Sequence, residues 1–99
     1  MEATVQKTRK PAAKKALQTG SVDVPLATPL EIEGTKVTAL RMREPLVSDQ
    51  EVTAEMSGSD TAREIQALAN LCEVSADDIR RLTARDYRRL QTAYLGFLD

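Results

Sequence analysis

The side chains of this 99-residue chain that could do chemistry are few, and their spacing does not bring them together. There is no histidine, hence no ready general base near neutral pH and no imidazole metal ligand. The single cysteine, Cys72, falls on the apolar side of a predicted helix with no histidine to activate it, which reads as a buried structural thiol. Asp77 and Asp78 are adjacent, so on a helix they point about 100° apart, a poor geometry for a coupled acid pair. Their place at a helix start, complementing the helix dipole, accounts for them. No phosphate loop and no cluster of metal-ligand residues is present. The expectation is a protein with no catalytic residues, no cofactor and no metal, and therefore not an enzyme.

Two basic features point outward. Residues 1–24 hold five basic groups (Lys7, Arg9, Lys10, Lys14, Lys15) against Glu2 and Asp23, whereas the remainder carries a net charge of −4. This is a basic arm on an acidic body. The arm has no aromatic residue on which bases could stack, so a solubilising or tethering role is expected of it. The second feature is the group Arg80, Arg81, Arg85, Arg88 and Arg89, read as a solvated face supported by pairs such as Asp77–Arg81 and Asp86–Arg89. The segment Ile65–Ile79 resembles a helix-turn-helix. Its turn carries Glu73 where that motif favours Gly, and Asp77 and Asp78 would face phosphates at the start of the second helix. Two packed helices joined by a tight turn are the better reading. The alternative is a helix-turn-helix DNA-binding regulator using residues 65–82, but nucleic acid is not the expected partner.

The elements around these residues follow from periodicity and cap chemistry. Residues 1–27 are rich in Ala, Lys, Thr and Pro and nearly lack large apolar side chains, so they are expected to be a disordered arm. Residues 28–44 predict a β-hairpin: Leu30 and Ile32 alternate with Glu31 and Glu33, and Gly34-Thr35 suits a tight turn. In the return strand the apolar pattern changes phase between Val37 and the pair Leu40 and Met42, which predicts a bulge near Thr38-Ala39. Residues 48–99 predict helices. Capping boxes with flanking hydrophobic staples at Ser48/Glu51, Ser75/Asp78 and Thr83/Asp86 place starts at Asp49, Ala76 and Ala84. A further helix spans about Asp60–Cys72, and Gly58 suits the end of the helix before it. In the last helix Tyr87, Leu90, Tyr94, Phe97 and Leu98 share one arc, with Leu95 off it. The composition, 41% hydrophobic and 29% charged, supplies a modest core. The expected fold is α+β: one domain over residues 28–99, a hairpin packed on three to four helices. No stretch is long and apolar enough for a membrane span, and no leader is expected from the N-terminal residues.

In this order of elements, Pro29–Asp99 resembles the tail assembly chaperones of Mu-like and related contractile-tailed phages. The residues that carry the likeness are Pro29–Gly34, Val37–Pro45, Val47–Asp49, Glu64–Cys72 and Val74–Leu82, and most characteristically Asp86-Tyr87-Arg88-Arg89-Leu90-Gln91. The resemblance implies binding to the tape measure protein, whose apolar helices need cover until tail-tube subunits take over. It also implies work in the host cytoplasm, absence from the mature virion, and a longer form made by ribosomal frameshifting. It transfers no site residues. From the residues themselves, the expected partner-binding surface is Tyr94, Leu95, Phe97 and Leu98 of the last helix. The hairpin's Val37, Leu40 and Met42 come second, because the phase change should leave some of them unburied. The same surface offers a homo-oligomer.

Overall fold

A computed structural model describes residues 20–99. Its elements are β1 (Ser21–Ile32), β2 (Thr35–Arg43), α1 (Val47–Glu55), α2 (Asp60–Cys72), α3 (Ala76–Arg80) and α4 (Ala84–Phe97). The expected α+β arrangement, a hairpin followed by helices, is what the chain adopts. Residues 1–19 of the expected arm lie outside the described residues.

The hairpin starts earlier than its expected bound of residue 28. Val22, Val24 and Leu26 alternate in a strand that opens at Ser21, and Val24 and Leu26 are buried in the core. Residues 21–27 therefore belong to the folded body. Pro25 masks the alternation in the sequence, but it is tolerated here because each strand of a two-stranded sheet has an open edge. The turn also differs by one residue. Ile32 pairs with Thr35, and Glu33 and Gly34 both take positive φ (51° and 81°), the pattern of a type I′ turn. The right-handed twist of the strands favours that turn, and Gly34 fills its second position without strain.

The expected irregularity is present, with its extra residues on β1. Pro25 pairs with Ala39 and Leu30 with Val37, so β1 advances five residues while β2 advances two. The difference is odd, and an odd slip exchanges the two faces of a strand. Val24 and Leu40 on one side of the bulge, and Leu30 and Val37 on the other, thereby all turn toward the helices. Leu40 and Met42 are buried and Val37 half-buried, which removes Leu40 and Met42 from the expected exposed surface.

Of the three expected capping boxes, the one at Ser75 forms in full. Ser75 Oγ accepts from the Asp78 amide at 3.0 Å, and Asp78 accepts from the Ser75 amide at 3.1 Å. At Thr83 only half forms: Thr83 Oγ1 accepts from the Asp86 amide, while the Asp86 carboxylate points elsewhere. At Ser48 the expectation fails. Helix α1 begins at Val47 with Leu46 as its N-cap, and Asp49 accepts from the Leu46 amide at 2.7 Å. The supposed staple, Val47 and Val52, is exposed. Asp49 is already fixed by Arg43, and this moves the start two residues upstream. Gly58 (φ 106°) lies in the loop beyond the C-cap Met56, and Ser59 caps α2 by accepting from the Ala62 amide.

The core lies between the hairpin and the helices. Val24, Leu26, Leu30, Leu40 and Met42 meet Leu68, Ala69, Leu71 and Cys72 of α2, Ile79 of α3 and Leu90 of α4. Helix α4 packs on β1 and α2 on β2. Helix α1 is different, since it buries no residue and rests mainly on α2.

Candidate partner-binding surface

Two buried or part-buried carboxylates fix the walls of the site. Asp86 is fully buried at the start of α4, and its two oxygens accept from the amides of Ala27 (2.8 Å) and Thr28 (3.0 Å). Those amides sit in the β1 bulge, where the ladder gives them no partner. Burial works against the charged carboxylate, but the two amides and Thr83 outweigh it and hold the group below its ordinary value. Arg89 is 3.7 Å from the same carboxylate and donates to the Pro25 carbonyl at 3.2 Å. Helix α4 is thus pinned to the hairpin at its first turn. At the other wall Arg43 holds Asp49 in a two-bond pair at 2.8 and 2.9 Å. That pair lowers the Asp49 carboxyl to about 2 against the opposing effect of burial, and it is the main tether of α1 to the hairpin.

Between these walls runs an open groove of about 790 Å³. Its base is α2, where the apolar Ala67, Leu68 and Leu71 are accompanied by Asp60, Arg63, Glu64 and Asn70. Gln50, Thr53 and Ala54 of α1 form one side, and Arg88, Gln91, Thr92, Tyr94 and Leu95 of α4 the other. Glu64 spans the base of the α4 wall, accepting from the Tyr87 hydroxyl and from Gln91 Nε2. Burial, reinforced by that bond, raises the Tyr87 phenol.

The expected contact residues divide. Leu95 is 62% exposed and Leu98 52% exposed, whereas Tyr94 and Phe97 are half-buried against the core. Leu98, the C-cap of α4, is exposed although its spacing placed it on the apolar arc. Sequence reasoning missed the α1 side of the groove, and it also missed the exposure of Leu46, Val47 and Val52, which lie outside the groove lining. Their exposure was legible only once Val47 and Val52 were no longer assigned to a staple.

The groups considered for chemistry are held in structural roles. Cys72 is buried, and burial pushes its thiol up to about 11, far from a reactive thiolate. Asp78 caps α3 and pairs with Arg81, which also donates to the Glu31 carbonyl at 2.8 Å. Asp77 pairs with Arg80, not with Arg81 as its spacing had suggested. Glu73 adopts the left-handed conformation (φ 59°) that the motif's usual glycine would supply, so the turn between α2 and α3 is as tight as the resemblance to a helix-turn-helix suggests. The following helix, however, has only five residues and opens on two carboxylates. Among the described residues no group of three His, Cys, Asp or Glu side chains is disposed to hold a metal. Among the described residues no helix is long and apolar enough to cross a membrane.

Residues 23–99 match the family model described as phage tail assembly chaperone proteins, E, or 41 or 14. Neither the curated proteins nor the solved structures contain a match to the chain.

Proposed function

This chain belongs to the phage tail assembly chaperone family, and from that membership we propose that it is a non-catalytic factor that binds the tape measure protein and keeps it soluble while the tail tube assembles. Such a partner presents long amphipathic helices. A groove between two helices is the physical counterpart of an apolar helical stripe. The observation that carries the reading is the α1–α4 groove. It combines the apolar Ala67, Leu68 and Leu71 of its base with an exposed Leu95 on its margin. Tyr94, Phe97 and Leu98 extend that margin toward the C-terminus, and the half-buried Val37 is a lesser candidate on the hairpin. Burying a helix against this surface would cover apolar area on both partners, which is what prevents premature aggregation. Tail-tube subunits would then displace the chaperone, which would work in the host cytoplasm and leave before the virion is complete.

Co-expression with the tape measure protein tests the reading. The wild-type chain should keep that protein in the soluble fraction and co-purify with it. Leu95→Glu should abolish capture while changing stability by no more than about 0.5 kcal/mol, as expected of an exposed position. Full capture by a folded Leu95→Glu protein would move the contact away from α4.

A further inference from the structure

Five charged side chains line the groove: Asp49, Asp60, Arg63, Glu64 and Arg88. Four of them are engaged within the chain. Asp49 takes two bonds from Arg43, Asp60 and Arg63 pair with each other, and Glu64 Oε1 accepts from the Tyr87 hydroxyl and from Gln91 Nε2. Arg88 is exposed. Among the described residues the ion pairs take up Arg41, Arg43, Arg63, Arg80, Arg81 and Arg89, and Arg88 has no carboxylate within salt-bridge distance. Arg85 shares that condition but does not line the groove.

Arg88 and Thr92 also border a shallow depression between α4 and β1, beside Val22 and Pro25. Arg88 therefore stands on the ridge of α4, at the rim of the groove and not at its base. Leu95 lines the same groove seven residues further on. Seven residues are two helical turns, about 10.5 Å along the axis and nearly the same side of the helix. The α4 margin thus presents a cation and an exposed apolar side chain at a fixed spacing. A partner helix lying along α4 meets that spacing with two of its own residues seven positions apart.

We propose that the helix seated in this groove carries an Asp or Glu on the flank of its apolar stripe, seven positions from the apolar residue that meets Leu95, and that Arg88 pairs with this acid. The inference rests on the reading of the groove as the tape measure site, and it names which helices the site prefers. The apolar contact supplies the area that leaves water, whereas the rim charge fixes register and disfavours stripes flanked by Lys or Arg at that position.

The test co-expresses the tape measure protein with the full 99-residue chain carrying Thr92→p-benzoylphenylalanine, a photoreactive residue on the exposed ridge between Arg88 and Leu95. The cross-linked segment should be amphipathic, with an acid seven positions from a large apolar residue. A synthetic peptide of that segment then serves as the probe in fluorescence anisotropy. Arg88→Glu should raise its dissociation constant about fivefold or more, since a rim attraction becomes a repulsion. Arg85→Glu makes the same charge change outside the groove and should alter binding less than about twofold. A peptide with Lys in place of the acid should bind the wild type weakly and Arg88→Glu well. Added salt should weaken the wild type more than Arg88→Gln. Circular dichroism verifies that each variant is folded, and Arg88→Gln takes the place of Arg88→Glu if the reversal unfolds the chain. A captured tape measure protein that does not cross-link at residue 92 overturns the proposal. So does a cross-linked segment with no acid at that spacing, equal losses from Arg85→Glu and Arg88→Glu, or a Lys peptide that fails to rescue Arg88→Glu. In each of these cases capture by the wild type leaves the tape measure reading standing; absence of capture overturns that reading and this inference together.

Discussion

Asp86 joins two segments that no local pattern connects. In the sequence, Thr83-x-x-Asp86 has the spacing of a capping box, and half of that box forms. The carboxylate itself serves amides 58 and 59 residues away. No periodicity or spacing reports a contact at that range, so the most consequential polar residue of the fold was legible as a cap and illegible as a clamp. Its removal should be costly, because a carboxylate accepting from two amides that lack ladder partners cannot be lost without leaving buried donors unsatisfied. Asp86→Ala should destabilise the domain by about 2–4 kcal/mol, and Asp86→Asn by somewhat less, since one oxygen acceptor remains. Chemical denaturation with an unchanged m-value is the measurement. A loss below about 0.5 kcal/mol for both would mean that water serves the bulge equally well. By contrast, the inertness of Cys72 was readable from the sequence, because one apolar helical face and the absence of histidine settle it together.

Among the elements, those whose start is encoded locally were read correctly, and those fixed by a distant partner were not. Helices α3 and α4 begin where Ser75 and Thr83 predict, since an N-cap side chain needs only the amide three residues on. Helix α1 begins at Val47 because Arg43, across the Glu44-Pro45 junction, holds Asp49 in position to accept from Leu46. The start of β1 was missed for a different reason. The alternation Val22, Val24, Leu26 is present, but Pro25 within it and the basic residues before it read as an arm. The phase break in β2 was visible, and its remedy on β1 was not, because an inserted residue can sit on either strand. These differences predict a contrast among three serine and threonine positions. Ser75→Ala and Thr83→Ala should each cost about 0.5–2 kcal/mol. Ser48→Ala, whose hydroxyl caps nothing, should stay within about 0.5 kcal/mol. Thermal melting of the three variants side by side checks this, and an equal loss at Ser48 would restore the cap that the structure denies it.

At the scale of the whole molecule, depressed carboxyl groups stand at three junctions of the fold, and they set its response to pH. Asp49 ties α1 to β2, Asp86 ties α4 to β1, and Asp78 fixes the start of α3. Asp49 is lowered to about 2, chiefly by its bonds from Arg43. Asp78 is lowered first by the Ser75 amide and then by Arg81. Asp86 is lowered by the Ala27 and Thr28 amides, which prevail over burial. A carboxyl whose value is depressed by folding adds stability that is fully present above the unfolded value, about 3.9, and is lost as pH falls through the folded value. The chain has no histidine, so no imidazole titrates near neutrality to add a second slope. The melting temperature should therefore be nearly level from about pH 8 to about pH 5, then fall continuously toward about pH 2 as the three junctions are protonated. Because the stability that Asp49 adds above its unfolded value is the same stability that acid removes, Asp49→Asn should lower the plateau and flatten the acid limb together, converging on the wild type at the lowest pH. Asp86→Asn should lower the plateau further, since Asp49 holds only α1, which buries no residue of its own. Melting curves followed by circular dichroism across this range distinguish the two. An acid limb identical in both variants would place the loss in general charge repulsion and not in these contacts.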